Sequence, residues 1–192
     1  MLFKKEFKSD KPYSGFWGKL YLTKKQRKGL LKWSLYGLLL LVLSLLQDVV
    51  LCRFKLFGAT TELVPVGIFL ICILEGAETG SIFALVASLV YLFSGTAAGP
   101  YSMVFITFLA IGVTIFRQYY LQRGLSAAVL CATAAMFGYE ILQFFMGLFL
   151  SLPIPQRFIG FLLTALLSSL TIPLLYPITL SIEAIGGETW KE

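Results

Sequence analysis

Residues 33–51 read WSLYGLLLLVLSLLQDVVL, nineteen positions with one acidic residue near the end and no cation. Crossing the hydrocarbon core of a bilayer takes about 20 apolar residues in a helix. This run therefore predicts a membrane-spanning helix, and the rest of the chain is organised around it. Upstream, residues 1–32 carry ten of the sixteen Lys and Arg residues. Cations massed beside a span mark the cytoplasmic side. The basic stretch is too long for a secretory signal and no small-residue cleavage site follows the apolar run.

Downstream come five further apolar segments, at about 63–74, 81–93, 101–116, 126–150 and 158–182. The segments at 63–74 and 81–93 are short. They read either as two spans or as one re-entrant hairpin around Glu75-Gly76-Ala77-Glu78-Thr79-Gly80. Counting cations favours two spans: six crossings place thirteen Lys and Arg on the cytoplasmic side and three outside, a strong positive-inside bias. The expected architecture is thus all-α, a polytopic bundle of about six transmembrane helices with both termini cytoplasmic. Its parts are a basic tail (1–32), one transmembrane bundle (33–182) and a short tail (183–192). Pro100 suits the first turn of the fourth span, and Pro173 and Pro177 interrupt the sixth.

Composition narrows function. Apolar residues make up 58% of the chain and charged residues 14%, too much apolar surface for a water-soluble domain of this size to hide. Histidine is absent, which removes the commonest general base and metal ligand. Three scattered cysteines, Cys52, Cys72 and Cys131, form no metal or disulfide pattern and read as small apolar filler. The net charge of +6 is a topological signal and does not indicate nucleic-acid binding. No phosphate-binding loop, zinc-protease or serine-hydrolase motif is present. The expectation is a protein without catalysis, metal or cofactor.

Several residues stand out. Tyr13, Phe16, Trp17, Leu20 and Tyr21 fall on one helical face among Lys11, Lys19, Lys24 and Lys25, the pattern of a helix lying on anionic lipid; a plain basic tail is the alternative. Glu140 sits in mid-span on a stripe with Ala132, Met136, Gln143 and Gly147. A carboxylate at that depth must face protein or water, and the simplest reading is a protonated acid pinned to a neighbouring helix. Gln47 and Asp48 close the first span and read as an interfacial pair. Glu75 and Glu78 read as a solvated turn. Gly80, Ala84 and Ser88 recur every four residues, as do Ala127, Cys131 and Ala135, and also Ala134 and Gly138. Such small-residue faces let helices approach closely within a bundle or between copies of a chain. The face of Gly80, Ala84 and Ser88, with the stripe of Met136, Glu140 and Gln143, is the expected partner surface.

From the first to the sixth span the chain resembles the MreD family, the membrane component of the bacterial rod-shape system. The resemblance is carried by Leu46-Gln47, Leu56-Phe57-Gly58, Leu74-Glu75-Gly76 leading to Gly80, Ser94-Gly95 and Gly99, Tyr139-Glu140, and Leu175-Tyr176-Pro177, in that order and spacing. The family usually has an acidic residue near the end of span three, where this chain has Tyr91. The resemblance implies a scaffold in the bacterial inner membrane. It would bind an MreC-like periplasmic coiled-coil protein and, through it, connect to peptidoglycan synthases and actin-like filaments. Six spans in a chain of this length also fit the substrate-binding S component of an energy-coupling-factor vitamin transporter. That alternative requires a cluster of polar groups facing outward.

Overall fold

A computed structural model describes residues 24–53, 59–120, 124–150 and 157–185, with the side chains of Lys24 and Lys25 outside the description. The described residues form seven helices: α1 (Lys24–Val49), α2 (Leu63–Glu75), α3 (Ala77–Phe93), α4 (Pro100–Tyr120), α5 (Leu125–Phe149), α6 (Phe158–Leu170) and α7 (Ile172–Ile185). A single 3-10 turn, Leu51–Arg53, follows α1. Three helices are long and apolar enough to cross a membrane: Gln26–Arg53, Pro100–Tyr120 and Leu125–Phe149. A fourth is gained if α6 and α7, bent by 46° at their junction, count as one broken span. The all-helical character expected from the sequence is therefore present, with three or four helices able to cross a membrane by length and composition.

The helices differ from the apolar segments in instructive ways. α1 starts nine residues before Trp33, inside the basic stretch, so a boundary between residues 32 and 33 falls within a helix. The run KKQRKGLLK is rich in good helix formers, and charge sets where membrane begins without ending the helix. The sixth apolar segment splits in two. Pro173 has no N–H to donate to Ser169, and its ring crowds that carbonyl. The chain bends there, and beside the bend the Thr171 hydroxyl donates to the Ser168 carbonyl (2.6 Å). Pro100 opens α4, as its fixed backbone angle favours.

α2 is the centre of the bundle. All thirteen of its residues are buried, as befits a helix that is apolar on every side. It touches α1, α3, α4, α5 and α7. Gly76 makes the α2–α3 connection a single-residue corner, with φ 89° and ψ 175°, a conformation open essentially to glycine alone. α3 then folds straight back along α2. A Cβ built on Gly80 would lie 2.9 Å from the Cys72 carbonyl oxygen and 3.0 Å from its Cα. Cys72 also donates its thiol to the Gly80 carbonyl (3.1 Å), so it does more than fill space.

The outer faces carry the exposed apolar side chains. α1 presents Leu38, Leu41, Val42, Leu45 and Val49, α3 presents Ile82, Val86 and Val90, and α4 presents Val104 and Phe108. In the most apolar window of α1 only 11% is buried, against 44% for α5. α1 is thus the most outlying of the long helices.

Candidate functional site

Polar side chains gather at the two ends of the bundle. At the end where the N-terminal tail enters, Lys32 of α1 and Glu75 at the close of α2 form an ion pair of 2.6 Å, their side chains 4% and 1% exposed. The Tyr36 hydroxyl, one turn on, donates to the other carboxylate oxygen of Glu75 (2.7 Å). Trp33, Tyr36 and Phe83 pack their rings within 6 Å of one another and roof the pair. Arg117 of α4 donates to the Ile73 carbonyl at the same end. The expectation of a solvated turn at Glu75 is therefore corrected: this carboxylate is enclosed and neutralised. Only Glu78 and Thr79 are exposed there. A cleft of about 600 Å³ opens beside them, lined by Glu75, Ala77, Glu78, Ile115, Gln118 and Tyr119.

The opposite, far end is richer. Gln47 stands at the end of α1 and is only 8% exposed. Its amide oxygen accepts from the backbone N–H groups of Leu63 (2.8 Å) and Val64 (3.0 Å). The next residue, Pro65, has no N–H. One side chain thus satisfies the orphan donors that α2 would otherwise bury at its start. The Gln47 amide nitrogen donates to the Tyr91 hydroxyl at the end of α3 (3.4 Å). Just before α2, the Glu62 N–H donates to the Ser168 hydroxyl of α6 (2.8 Å). From α5, Gln143 donates to the Tyr139 hydroxyl (2.6 Å). Reading Gln47 as an interfacial residue is corrected: it is the cap of the central helix.

Three carboxylates share this end: Asp48, Glu62 and Glu140. One oxygen of each, Asp48 Oδ1, Glu62 Oε2 and Glu140 Oε1, is buried with no hydrogen-bond partner. Glu140 is 2% exposed and lies close enough to Glu62 for the two to repel. Tyr91 is within electrostatic reach of Asp48, Glu62 and Glu140, and Tyr139 of Glu62 and Glu140. The expected hydrogen bond pinning Glu140 to a neighbouring helix is absent at Oε1. Buried polar atoms are normally satisfied, and those that are not need a specific cause.

The structure thus brings together Gln47, Asp48, Glu140 and Gln143 from the residues singled out in the sequence. It adds Glu62 and Ser168, which no sequence motif marked, and Tyr91 and Tyr139, which stood out only through the family resemblance. Gly80, Ala84, Ser88, Met136, Glu140 and Gln143 are all buried within the chain, and Ser88 bonds to Thr107 of α4 (3.1 Å). Phe16, Trp17 and Lys19, and the side chains of Lys24 and Lys25, lie outside the described residues. Among the described residues, no three His, Cys, Asp or Glu side chains are placed to hold a metal ion.

Two expected results follow from these placements. Gln47→Leu strands the Leu63 and Val64 donors and is expected to cost about 2–6 kcal/mol, at roughly 1–3 kcal/mol for each buried unsatisfied group. Unfolding of the detergent-solubilised protein measures it, and a cost below about 1 kcal/mol would mean that water reaches this cap. Ala84→Leu and Ser88→Leu overfill sites with no exposed surface, so each is expected to lower stability by about 1–3 kcal/mol. Size-exclusion chromatography should then show loss of the folded monomer. A fully stable variant would show that α3 and α4 can part at this face.

No family model, curated protein or solved structure matches the chain.

Proposed function

We propose that this protein is a non-catalytic scaffold of the bacterial cell-elongation machinery, similar to MreD. It would hold an MreC-like partner in the inner membrane and so regulate peptidoglycan synthesis and cell shape. The observation that carries this reading is where the family-like residues fall. Gln47 caps the central helix, and Glu75 closes it in an ion pair. Gly76 and Gly80 set the α2–α3 corner and contact. Ser94 ends α3, Tyr139 and Glu140 lie in the core, and Leu175 is buried in α7. Residues of ordinary membrane composition, in the family's order, stand where this bundle's geometry is most demanding. That supports a likeness of fold, and the functional reading builds on it.

In this reading α2 and α3 both cross the bilayer, giving six spans with both termini in the cytoplasm. At ~1.5 Å rise per residue, the thirteen residues of α2 cover ~20 Å of a ~30 Å core, a shortfall that its surrounding helices cover. The tail end, with Lys32 and Arg117, faces the cytoplasm, in keeping with the positive-inside rule. The tail rests on anionic lipid. The outer faces of α1, α3 and α4 expose large apolar side chains, so partners would bind through lipid-facing helix faces, with α1 the most available. Self-association through such a face is part of the same proposal.

Depletion of the protein in its rod-shaped host tests this reading. Cells are expected to round up as the protein is lost and to recover rod shape on its return. Unchanged rods at full depletion would overturn the proposal. A second reading, the substrate-binding S component of a vitamin transporter, draws on one observation: polar side chains gather at the end of the bundle opposite the basic stretch, where such a subunit would need them.

A further inference from the structure

The far-end cluster has more acceptors than the protein uses. The Gln47 amide oxygen and the Ser168 hydroxyl accept from backbone N–H groups, and Gln47 and Gln143 donate to the Tyr91 and Tyr139 hydroxyls. The buried oxygens of Asp48, Glu62 and Glu140 have no hydrogen-bond partner. Glu140 is the decisive member, because it is almost wholly enclosed and its Oε1 has no partner. In a low-dielectric setting an unpaired carboxylate is costly, and a second one nearby raises the cost. The described cations of this end, Arg53 and Arg157, are both exposed, and neither forms an ion pair with the three carboxylates.

We propose that the far-end cluster binds a small organic ammonium ion, entering past the half-buried Asp48 and Glu62 and seating a charged nitrogen against Glu140. Three features select this class of ligand. The carboxylates are not grouped closely enough for one metal ion, so an extended cation that meets them in turn fits better than a compact one. Each free oxygen accepts hydrogen bonds and none donates, which suits an N–H donor with positive charge. Tyr91 and Tyr139, both buried and within electrostatic reach of the acids, add hydroxyl oxygens that can accept a further N–H donor. The inference rests on neither reading of function: a scaffold could be regulated through such a site, and a transport subunit could be loaded through it.

Isothermal titration of the full-length protein in mild detergent with 1,4-diaminobutane tests it, with butane-1,4-diol as the uncharged match and potassium and magnesium chloride as inorganic competitors. Saturable binding of the diamine alone is expected. Glu140→Gln should weaken it by about 10- to 100-fold, the loss of one charge-assisted hydrogen bond. Glu78→Gln, exposed at the other end, should leave it unchanged. If Glu140→Gln does not fold, Asp48→Asn carries the comparison. Absence of saturable binding, equal binding of diamine and diol, or displacement by magnesium at equal concentration would each overturn the proposal. So would a Glu140→Gln protein that is more stable than wild type in an apparatus where the wild type binds no amine, since the carboxyls would then be holding their own protons.

Discussion

Lys32→Met is expected to destabilise the protein by about 3–5 kcal/mol, the usual consequence of removing one partner from a buried ion pair. The cost comes mainly from what is left behind. Glu75, 1% exposed on its side chain, would keep only the Tyr36 hydroxyl as a donor. Glu75→Gln is expected to cost a similar amount from the other side, because it strands the Lys32 ammonium while still accepting from Tyr36. The double substitution Lys32→Met/Glu75→Gln removes both charges and should recover most of the loss, since replacing an enclosed pair by neutral groups of like size is often close to neutral. Unfolding in mixed micelles measures all four proteins of this cycle. Additive losses in the double variant would mean that the two groups do not sense each other. Losses below about 1 kcal/mol in the singles would mean that water screens the pair as it does at a surface.

The second large effect is expected at Gly80. An alanine in mid-helix ordinarily stabilises by about 0.5–1 kcal/mol relative to glycine. At Gly112, on α4, a Cβ would meet nothing within 4 Å, so Gly112→Ala should show that ordinary gain. At Gly80 the same atom would meet the backbone of Cys72, on the fully buried α2. Backbone cannot swing aside as the tip of a side chain can. Gly80→Ala is therefore expected to lose about 1–3 kcal/mol, the range for overpacking, and to break the Cys72 thiol contact. Thermal unfolding of both variants in the same detergent gives a comparison of sign. Matching gains at the two glycines would show that α2 and α3 are not held this closely.

Much of the fold is legible in the sequence because helices in lipid announce themselves through apolar length. The runs at 101–116 and 126–150 lie within or nearly coincide with α4 and α5, and α2 is apolar on all sides because every side is covered. What was not legible depends on contacts between distant residues. Lys32 and Glu75 look like a topological cation and a turn acid until α1 and α2 lie antiparallel and bring them together. Gln47 looks interfacial until the start of α2 presents two bare N–H groups to it. The small-residue face of Gly80, Ala84 and Ser88 carries a true packing signal, but periodicity cannot say whether the neighbour is the same chain or another. The far-end carboxylates come from α1, the segment before α2, and α5, so no spacing in the sequence could have grouped them. Asp48 stood out only as an interfacial residue and Glu140 as a buried acid, because the depth of Glu140 is visible without its neighbours.

The exposed apolar faces of α1, α3 and α4 are, in the proposed reading, where the protein does its work. The most direct measurement is an affinity pull-down of the tagged, full-length protein from mild-detergent bacterial membranes, with co-purifying proteins identified by mass spectrometry. A single-span periplasmic coiled-coil protein of the MreC type, recovered in stoichiometric amount, is the result the scaffold reading expects. Recovery of a pair of ATPases with a coupling subunit, and no such coiled-coil protein, would contradict it and assign the chain to substrate binding.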